Sequence, residues 1–471
     1  MIRFLLNDRL VETRRPAGEL LLDSLRGSFG LPGVKQGCRE GDCGACAVLV
    51  GELEGDVVRY RAMTSCMMLL GQVEGRHIVT IEGLNLAQGL GPVQRAVAEE
   101  GATQCGFCTP GVVVSLTSAL CAPGAPSEAE LLEAAGGNIC RCTGYASFRR
   151  AARRLVGELA GLPREAGPRL RSLVAEGVLP ASFGRATEEL ARLADGPAST
   201  PTTPAQGSVY TLAGGTDVLV QRRFAPEPGR PHFLERPCDG ALRIEGASLF
   251  IDAGATFEEL KHSQAWRRVD PNALRHLDLV ASQLIRERAT VGGNIANASP
   301  IADVVILLLA LDAELELAGP AGGRRLSLAK FFHGYKHTDR RPGEGILGVR
   351  VPLAGRLANF EKVSKRERLD IASVNTAASF ELAGERFARV RLSAGGVGPV
   401  PLLLERSAAG LEGRPLDKDA VRAACRTAME EVRPISDVRG SAEYKRLLLG
   451  RLVLAHFIES FPGRGFEELA S

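Results

Sequence analysis

Apolar and polar positions alternate at the start of the chain, in MIRFLLND (1–8), and again in VRYRAMTSCMML (58–69); that two-residue period predicts strands. Between them LLLDSLRGSFG (20–30) carries apolar residues at helical spacing. PSEAELLEAAGG (126–137) has Ser127 and Glu130 in the register of a reciprocal helix cap and closes on glycines, which predicts a short helix. Helical, charged segments continue from Leu155 to about Leu193, and DGPASTPTTPAQGS (195–208) has linker composition. Beyond it VYTLAGGTDVLV (209–220) reads as strand, glycine turn, apolar segment, and RATVGGNIANASPIADVVILLLA (288–310) repeats the device before a helix. The remainder sets strands, as in RFARVRLSAGG (386–396), beside amphipathic helices, DAVRAACRTAMEEV (419–432) and SAEYKRLLLGRLVLAHF (441–457).

Three regimes in 471 residues with 45% hydrophobic content predict several domains with real cores. With 58 basic and 55 acidic residues the net charge is only +3, so no single-sign field points to nucleic acid or an anionic membrane. The charged N-terminus lacks the apolar core of a secretory signal, and VVILLLALDA, from Val304, is far shorter than the roughly 20 residues that cross a bilayer. The expectation is a cytoplasmic protein. In a reducing compartment its 11 cysteines point to metal ligation rather than disulfides.

Eight of those cysteines fall into two groups. CREGDCGACAVLV (38–50) supplies Cys38, Cys43 and Cys46, with Cys66 as a distant fourth, the spacing of plant-type [2Fe-2S] ferredoxins. Gly41 and Gly44 permit the tight wrap such a loop needs, whereas zinc motifs usually bring their ligands in C-x2-C pairs. The second group, QCGFCTPG (104–111) and GGNICRCTGY (136–145), supplies Cys105, Cys108, Cys140 and Cys142. Thr109 and Pro110 after one pair, and Thr143 after the other, look like helix starts, where thiolate is favoured over thiol. Taken alone this group also suits tetrahedral zinc; directly after a ferredoxin loop it reads as a second cluster. Cys121, Cys238 and Cys425 have no partners at ligand spacing and read as buried hydrophobes.

The two cysteine groups together resemble the iron–sulfur region of the molybdenum hydroxylases, which include xanthine dehydrogenase, aldehyde oxidoreductase and carbon monoxide dehydrogenase. The resemblance implies an α+β multidomain chain. Its parts would be a β-grasp plant-type ferredoxin domain (1–82), a four-helix [2Fe-2S] domain (83–160), a helical segment and linker (161–208), a two-part α+β FAD-binding domain (209–355) and an α/β C-terminal flavoprotein subdomain (356–471). It implies that the first cluster lies toward the flavin and the second toward a molybdopterin, which Gln104 would approach. For the flavin it implies Leu212, Ala213, Gly214, Gly215, Thr216 and Asp217 in one loop and Thr290, Gly293, Asn294 and Ser299 in the other. Asp303, Leu347 and Lys362 join them, Lys362 at the isoalloxazine edge.

In one respect the chain departs from the family, where an aromatic side chain packs over the flavin ring shortly before the second glycine loop. No aromatic lies between Trp266 and Phe331 here, and Val280 holds the nearest place. Two other motifs carry no chemistry. GEGILG (343–348) fits G-x-G-x-x-G but runs into VRVP, a strand, where a dinucleotide fingerprint must open a helix. HGYKH (333–337) spaces two histidines without a third ligand and reads as structural.

The resulting expectation is the electron-transfer subunit of a xanthine dehydrogenase-type enzyme, with no catalytic residue of its own for the hydroxylation. Electrons from a separate large molybdopterin subunit, in a heterodimer or dimer of heterodimers, would pass through two [2Fe-2S] clusters to FAD and then NAD, the basic SKRER (364–368) helping to admit NAD. The equivalent subunit of an aldehyde or N-heterocycle hydroxylase and a self-contained FAD and iron–sulfur carrier are the alternatives.

Overall fold

A computed structural model describes residues 1–195, 209–221, 230–234, 240–366 and 368–470. Cys238 and nearly all of the linker expected at 195–208 lie outside them. The chain divides into two units, one of residues 1–234 with 282–288, the other of 235–281 with 289–471.

In the first unit the alternating segments form a five-stranded sheet, in the order Arg9–Thr13, Ile2–Leu6, His77–Val79, Ala47–Glu54, Val57–Thr64. Ile2–Leu6 and His77–Val79 run parallel and the other pairs antiparallel. Because successive side chains point to opposite faces, each strand feeds two cores. Phe4, Leu6, Val48, Val50 and Ile78 pack with Leu21, Leu22 and Leu25 of the helical turns at Leu21–Ser28, and with Cys46 and Cys66. Leu5, Leu49 and Val79 instead pack with the helical segment, alongside Cys108 and Cys140. Each cysteine group thus has two of its four members seated in one of the two cores that flank the sheet.

The helical segment contains Pro92–Glu99, Thr109–Cys121, Glu128–Ala135 and Ala146–Glu158. Thr109–Cys121 is apolar nearly all round and lies buried, its Ser118 hydroxyl accepting the Ala62 amide of the sheet at 2.8 Å. The cap expected at Glu128–Ala135 forms, with the Ser127 amide donating to Glu130 at 2.7 Å and the Glu130 amide to Ser127 at 3.3 Å. The other two starts differ from expectation. Cys108, not Thr109, is the N-cap, and Thr109 turns its hydroxyl to Thr103. Ala146–Glu158 starts from Tyr145 in the left-handed region, and Thr143 hydrogen-bonds within the cysteine loop instead.

The second unit contains an antiparallel five-stranded sheet, ordered Gly322–Ser327, Glu314–Gly319, Gly345–Pro352, Ser248–Asp252, Leu242–Glu245. GEGILG indeed turns into the strand Gly345–Pro352. Strands Leu357–Val363, Val374–Ala383, Arg386–Gly395 and Leu402–Leu403 form a second sheet, and Lys418–Glu431 and Ala442–Ser460 cover it with the phenylalanine-rich core of Phe380, Phe387, Phe457 and Phe461. The C-terminal subdomain, expected as α/β, is therefore α+β: its strands pair antiparallel in succession and need no crossover helices. Among the described residues no helix is long and apolar enough to cross a membrane.

His77 is a buried test of the core on the helical side of the sheet, where it packs against Tyr60 and Phe183. Its Nε2–H donates to the Asn7 carbonyl at 2.7 Å, so Nδ1 accepts from the Tyr60 hydroxyl at 2.8 Å. Burial pushes its pKa down to about 4. The unfolded chain therefore binds a proton between pH 6.5 and 4 that the folded one refuses, and stability falls as pH drops through that window, by about 3 kcal/mol from this residue. Thermal melts of the wild type should lose stability from pH 7 to pH 4.5 more steeply than those of His77→Gln; parallel pH profiles would overturn this.

Candidate functional site: two thiol loops and a charged flavin cradle

The first cysteine loop is shaped by positive backbone angles at Arg39, Gly41 and Gly44 (φ 58°, 81° and 66°). These turn amides inward: Glu40 and Cys43 donate to Cys38 Sγ at 3.4 and 3.3 Å, and the Cys38 amide donates to Cys43 Sγ at 3.5 Å. The Cys43 thiol, helped by the Cys43 and Asp42 amides, holds the Cys38 pKa down to about 6, and Cys43 is raised in exchange. Cys46 is lowered by its hydrogen bond with Cys66, which rises. In the second group the Phe107 amide and the Cys142 thiol lower Cys105, with the two sulfurs 3.6 Å apart, and burial beside Cys140 raises Cys108 to about 12. Cys140 is lowered despite burial, because the Thr143 hydroxyl lies 3.1 Å from its sulfur.

The eight thiols thus lie in four neighbouring pairs, two per loop system, and one member of each favours thiolate. Among the described residues no three His, Cys, Asp or Glu side chains are arranged around a single metal ion. Free thiols in paired sets, with amides already aimed at sulfur, fit a cluster that spreads four thiolates over two irons. Cys121 is buried as expected, whereas Cys425 is only part-buried at the edge of its core; both are free, and burial raises their pKa values to about 12.

The two loop systems touch directly. The Ile139 amide donates to the Cys43 carbonyl at 3.0 Å and the Asn138 carboxamide to the Gly44 carbonyl at 2.9 Å. A side-chain carbon at Gly44 would stand 2.3 Å from the Gly137 carbonyl oxygen, and one at Gly111 would stand 2.4 Å from that of Gly44. Neither Asn138 nor Gly111 stands out at any ligand spacing, so sequence reasoning missed both. At the outer end Cys105 and Cys142 are exposed, with Gln104, beside exposed Phe107, Ile139 and Tyr145.

The first glycine loop belongs to the first unit. Leu212 is buried with the ferredoxin core, and Gly215 (φ 80°) makes the turn into the helix Thr216–Gln221, whose first turn carries Asp217. The Ala213 and Gly214 carbonyls accept from Gln72 at 3.1 Å and Arg288 at 2.5 Å.

The second glycine loop and Asp303 belong to the second unit. Gly292 and Gly293 lie within a helical turn, Val291–Asn297, rather than in a free turn, and Thr290 caps it by accepting the Gly293 amide at 3.1 Å. The Asn294 side-chain oxygen is buried without a hydrogen-bond partner among the described residues, an acceptor awaiting a donor that a polar ligand would supply. Ser299 receives the Ile301 amide at 3.4 Å, and Leu347, half exposed, takes the Ala253 amide on its carbonyl.

Asp303 opens the buried helix Asp303–Ala310, whose carbonyls at Ile306 and Ala310 are held by the Ser393 and Ser379 hydroxyls of the neighbouring sheet. On that sheet Lys362 and Asn375 are direct cross-strand partners. Both reach Asp303: Lys362 Nζ lies 2.8 Å from Oδ2, and Asn375 Nδ2 donates to Oδ1 at 2.5 Å. Lys362 also donates to the Leu279 carbonyl at 2.8 Å. Leu279, Arg275, Asp278 and Arg368 line a cleft of about 270 Å³. Val280 next to it is buried and aliphatic, and His333 pairs with Asp339 at 3.1 Å, in keeping with a structural HGYKH.

Comparison with known proteins gives four matched stretches along the chain. Residues 4–71 match the 2Fe-2S iron-sulfur cluster binding domain, 80–153 the [2Fe-2S] binding domain, 198–354 the FAD binding domain in molybdopterin dehydrogenase, and 360–460 the CO dehydrogenase flavoprotein C-terminal domain. The chain belongs to the molybdenum hydroxylase family. Its relatives in that family include the xanthine dehydrogenase of Blastobotrys adeninivorans, 28% identical over 94% of this chain, and aldehyde oxidase 4 of Cavia porcellus, 26% identical over 97%. This chain spans 39% of the length of either. A solved carbon monoxide dehydrogenase from Hydrogenophaga pseudoflava is 30% identical, with 52% of this chain and 86% of that one covered and a TM-score of 0.49.

Two sets of variants test these sites. Cys43→Ser should remove one of two iron–sulfur EPR signals and leave the other; survival of both refutes the ligand set. Asp303→Ala leaves the buried Lys362 ammonium without its carboxylate, and should lose FAD on gel filtration and about 3 kcal/mol of stability. Replacing both, Asp303→Leu with Lys362→Met, should restore much of the melting temperature but not the flavin. Wild-type flavin content in either variant would overturn the assignment.

Proposed function

We propose that this chain is the electron-transfer subunit of a molybdenum hydroxylase of the xanthine dehydrogenase type, serving purine (hypoxanthine and xanthine) oxidation. In this reading Cys38, Cys43, Cys46 and Cys66 hold one [2Fe-2S] cluster and Cys105, Cys108, Cys140 and Cys142 the other. The clusters supply one-electron steps and FAD supplies the place where two electrons collect for NAD.

The observation that carries the reading is the exposure of Cys105 and Cys142 among apolar Phe107, Ile139 and Tyr145, while the ferredoxin-type thiols sit deeper. Exposed thiols with exposed apolar residues next to them along the chain suit a surface that is covered, and a separate molybdopterin-binding subunit is the partner we assign to it. The chain's own residues then have distinct tasks. The cysteine loops hold thiolates ready and aim amides at sulfur, and the Cys43–Ile139 hydrogen bond joins one loop system to the other. Asp303 fixes the Lys362 ammonium at the flavin cradle, and in the cleft beside it Arg368 is the side chain we assign to an anionic acceptor such as the phosphates of NAD, Arg275 being held by Glu361 at 2.8 Å.

Relatives named as aldehyde oxidases are about as similar as those named xanthine dehydrogenase, so an aldehyde or N-heterocycle hydroxylase is the second reading. Purification from the native host should yield a reddish-brown complex with a large molybdenum subunit at equal stoichiometry. It should turn over hypoxanthine with NAD faster than benzaldehyde or nicotinate. A preference for benzaldehyde or nicotinate overturns the purine assignment alone; isolation without any molybdenum subunit overturns the subunit role.

A further inference from the structure

Residues 282–288, SQLIRER, are flanked on both sides by the second unit yet belong to the first. Ala281, a non-glycine residue in the left-handed region (φ 53°), opens the excursion. Inside the first unit three polar contacts pin it: Arg286 to Glu133 at 2.6 Å, Glu287 to Arg61 at 3.4 Å and Arg288 to Gln72 at 2.9 Å. Arg286, Glu287 and Arg288 are buried, a costly arrangement for a mere connection.

The pinned segment delivers two apolar side chains to the two cysteine loops. Ile285 packs on the core that holds Cys46, Cys66 and Met67, and its Cδ1 is 2.7 Å from where a side-chain carbon at Gly41 would stand. Leu284 is buried with Cys108 and Cys140, and its Cδ1 is 2.9 Å from the corresponding point at Gly137. Each loop has a glycine where the segment presses on it.

We propose that this excursion is a two-sided redox cap, Ile285 excluding water from the loop of Cys38, Cys43 and Cys46 and Leu284 from the loop that leads to Cys140 and Cys142. The inference rests on the assignment of those cysteines to [2Fe-2S] clusters. A diferric cluster on four thiolates carries two negative charges, and taking up one electron makes them three. A dry surrounding therefore penalises the reduced form more, and water admitted through a trimmed cap favours reduction.

The test is an EPR-monitored redox titration of the purified holoprotein, with signals assigned through Cys43→Ser. At a fixed potential Ile285→Ala should raise the reduced-to-oxidised ratio of the first cluster by about five- to tenfold and leave the second within about twofold. Leu284→Ala should do the converse. Ile285→Val, a smaller trim, should shift the first cluster in the same direction by less, and Ile285→Leu should titrate as wild type. Unchanged ratios in Ile285→Ala and Ile285→Val, or equal shifts of both clusters, overturn the cap while the cluster assignment stands. A wild type without either signal overturns that assignment instead.

Discussion

The contact on which the first unit depends is a backbone-to-backbone approach that only glycine permits. At Gly44 a side chain would occupy the space of the Gly137 carbonyl, and at Gly111 the space of the Gly44 carbonyl. The closeness of the two loops lets the Ile139 amide and the Asn138 carboxamide satisfy the Cys43 and Gly44 carbonyls, which would otherwise be costly to bury. The residue types flanking the cysteines therefore matter beyond ligation. They decide how close one cysteine loop comes to the next.

In the second unit electrostatics has the corresponding role. Asp303 begins a helix that is otherwise apolar and buried, and its carboxylate is stabilised by the helix N-terminus, the Lys362 ammonium and the Asn375 amide. The pairing works because register places Lys362 opposite Asn375, while serines of the same sheet hold the helix carbonyls. A slip of one residue would turn Lys362 to the other face and leave the carboxylate buried without its counter-ion.

How far the site was legible depended on whether its chemistry was local. The Ser127 cap and the turn of GEGILG into a strand are each decided within a few residues, and the structure has both as expected. The threonines after the cysteines look like helix caps, but Cys108 and Tyr145 take those positions. A hydroxyl before a helix has competing partners, and Thr109 found Thr103 while Thr143 found the Cys140 sulfur. The glycines of the second glycine loop read as a turn but lie in a helix, because Thr290 offers its hydroxyl to the Gly293 amide and starts that helix before them.

By itself the sequence determined the thiol inventory, the order of the redox-type domains and the strand and helix periods, because covalent spacing and side-chain alternation act over short range. Only the tertiary structure decided which thiols pair, that Asn375 joins Lys362 on Asp303, and that SQLIRER leaves its flanking residues for the cores around the cysteines. Those outcomes depend on the free energy of burying charges and apolar side chains against groups far away along the chain, and no local pattern encodes where the chain will find them.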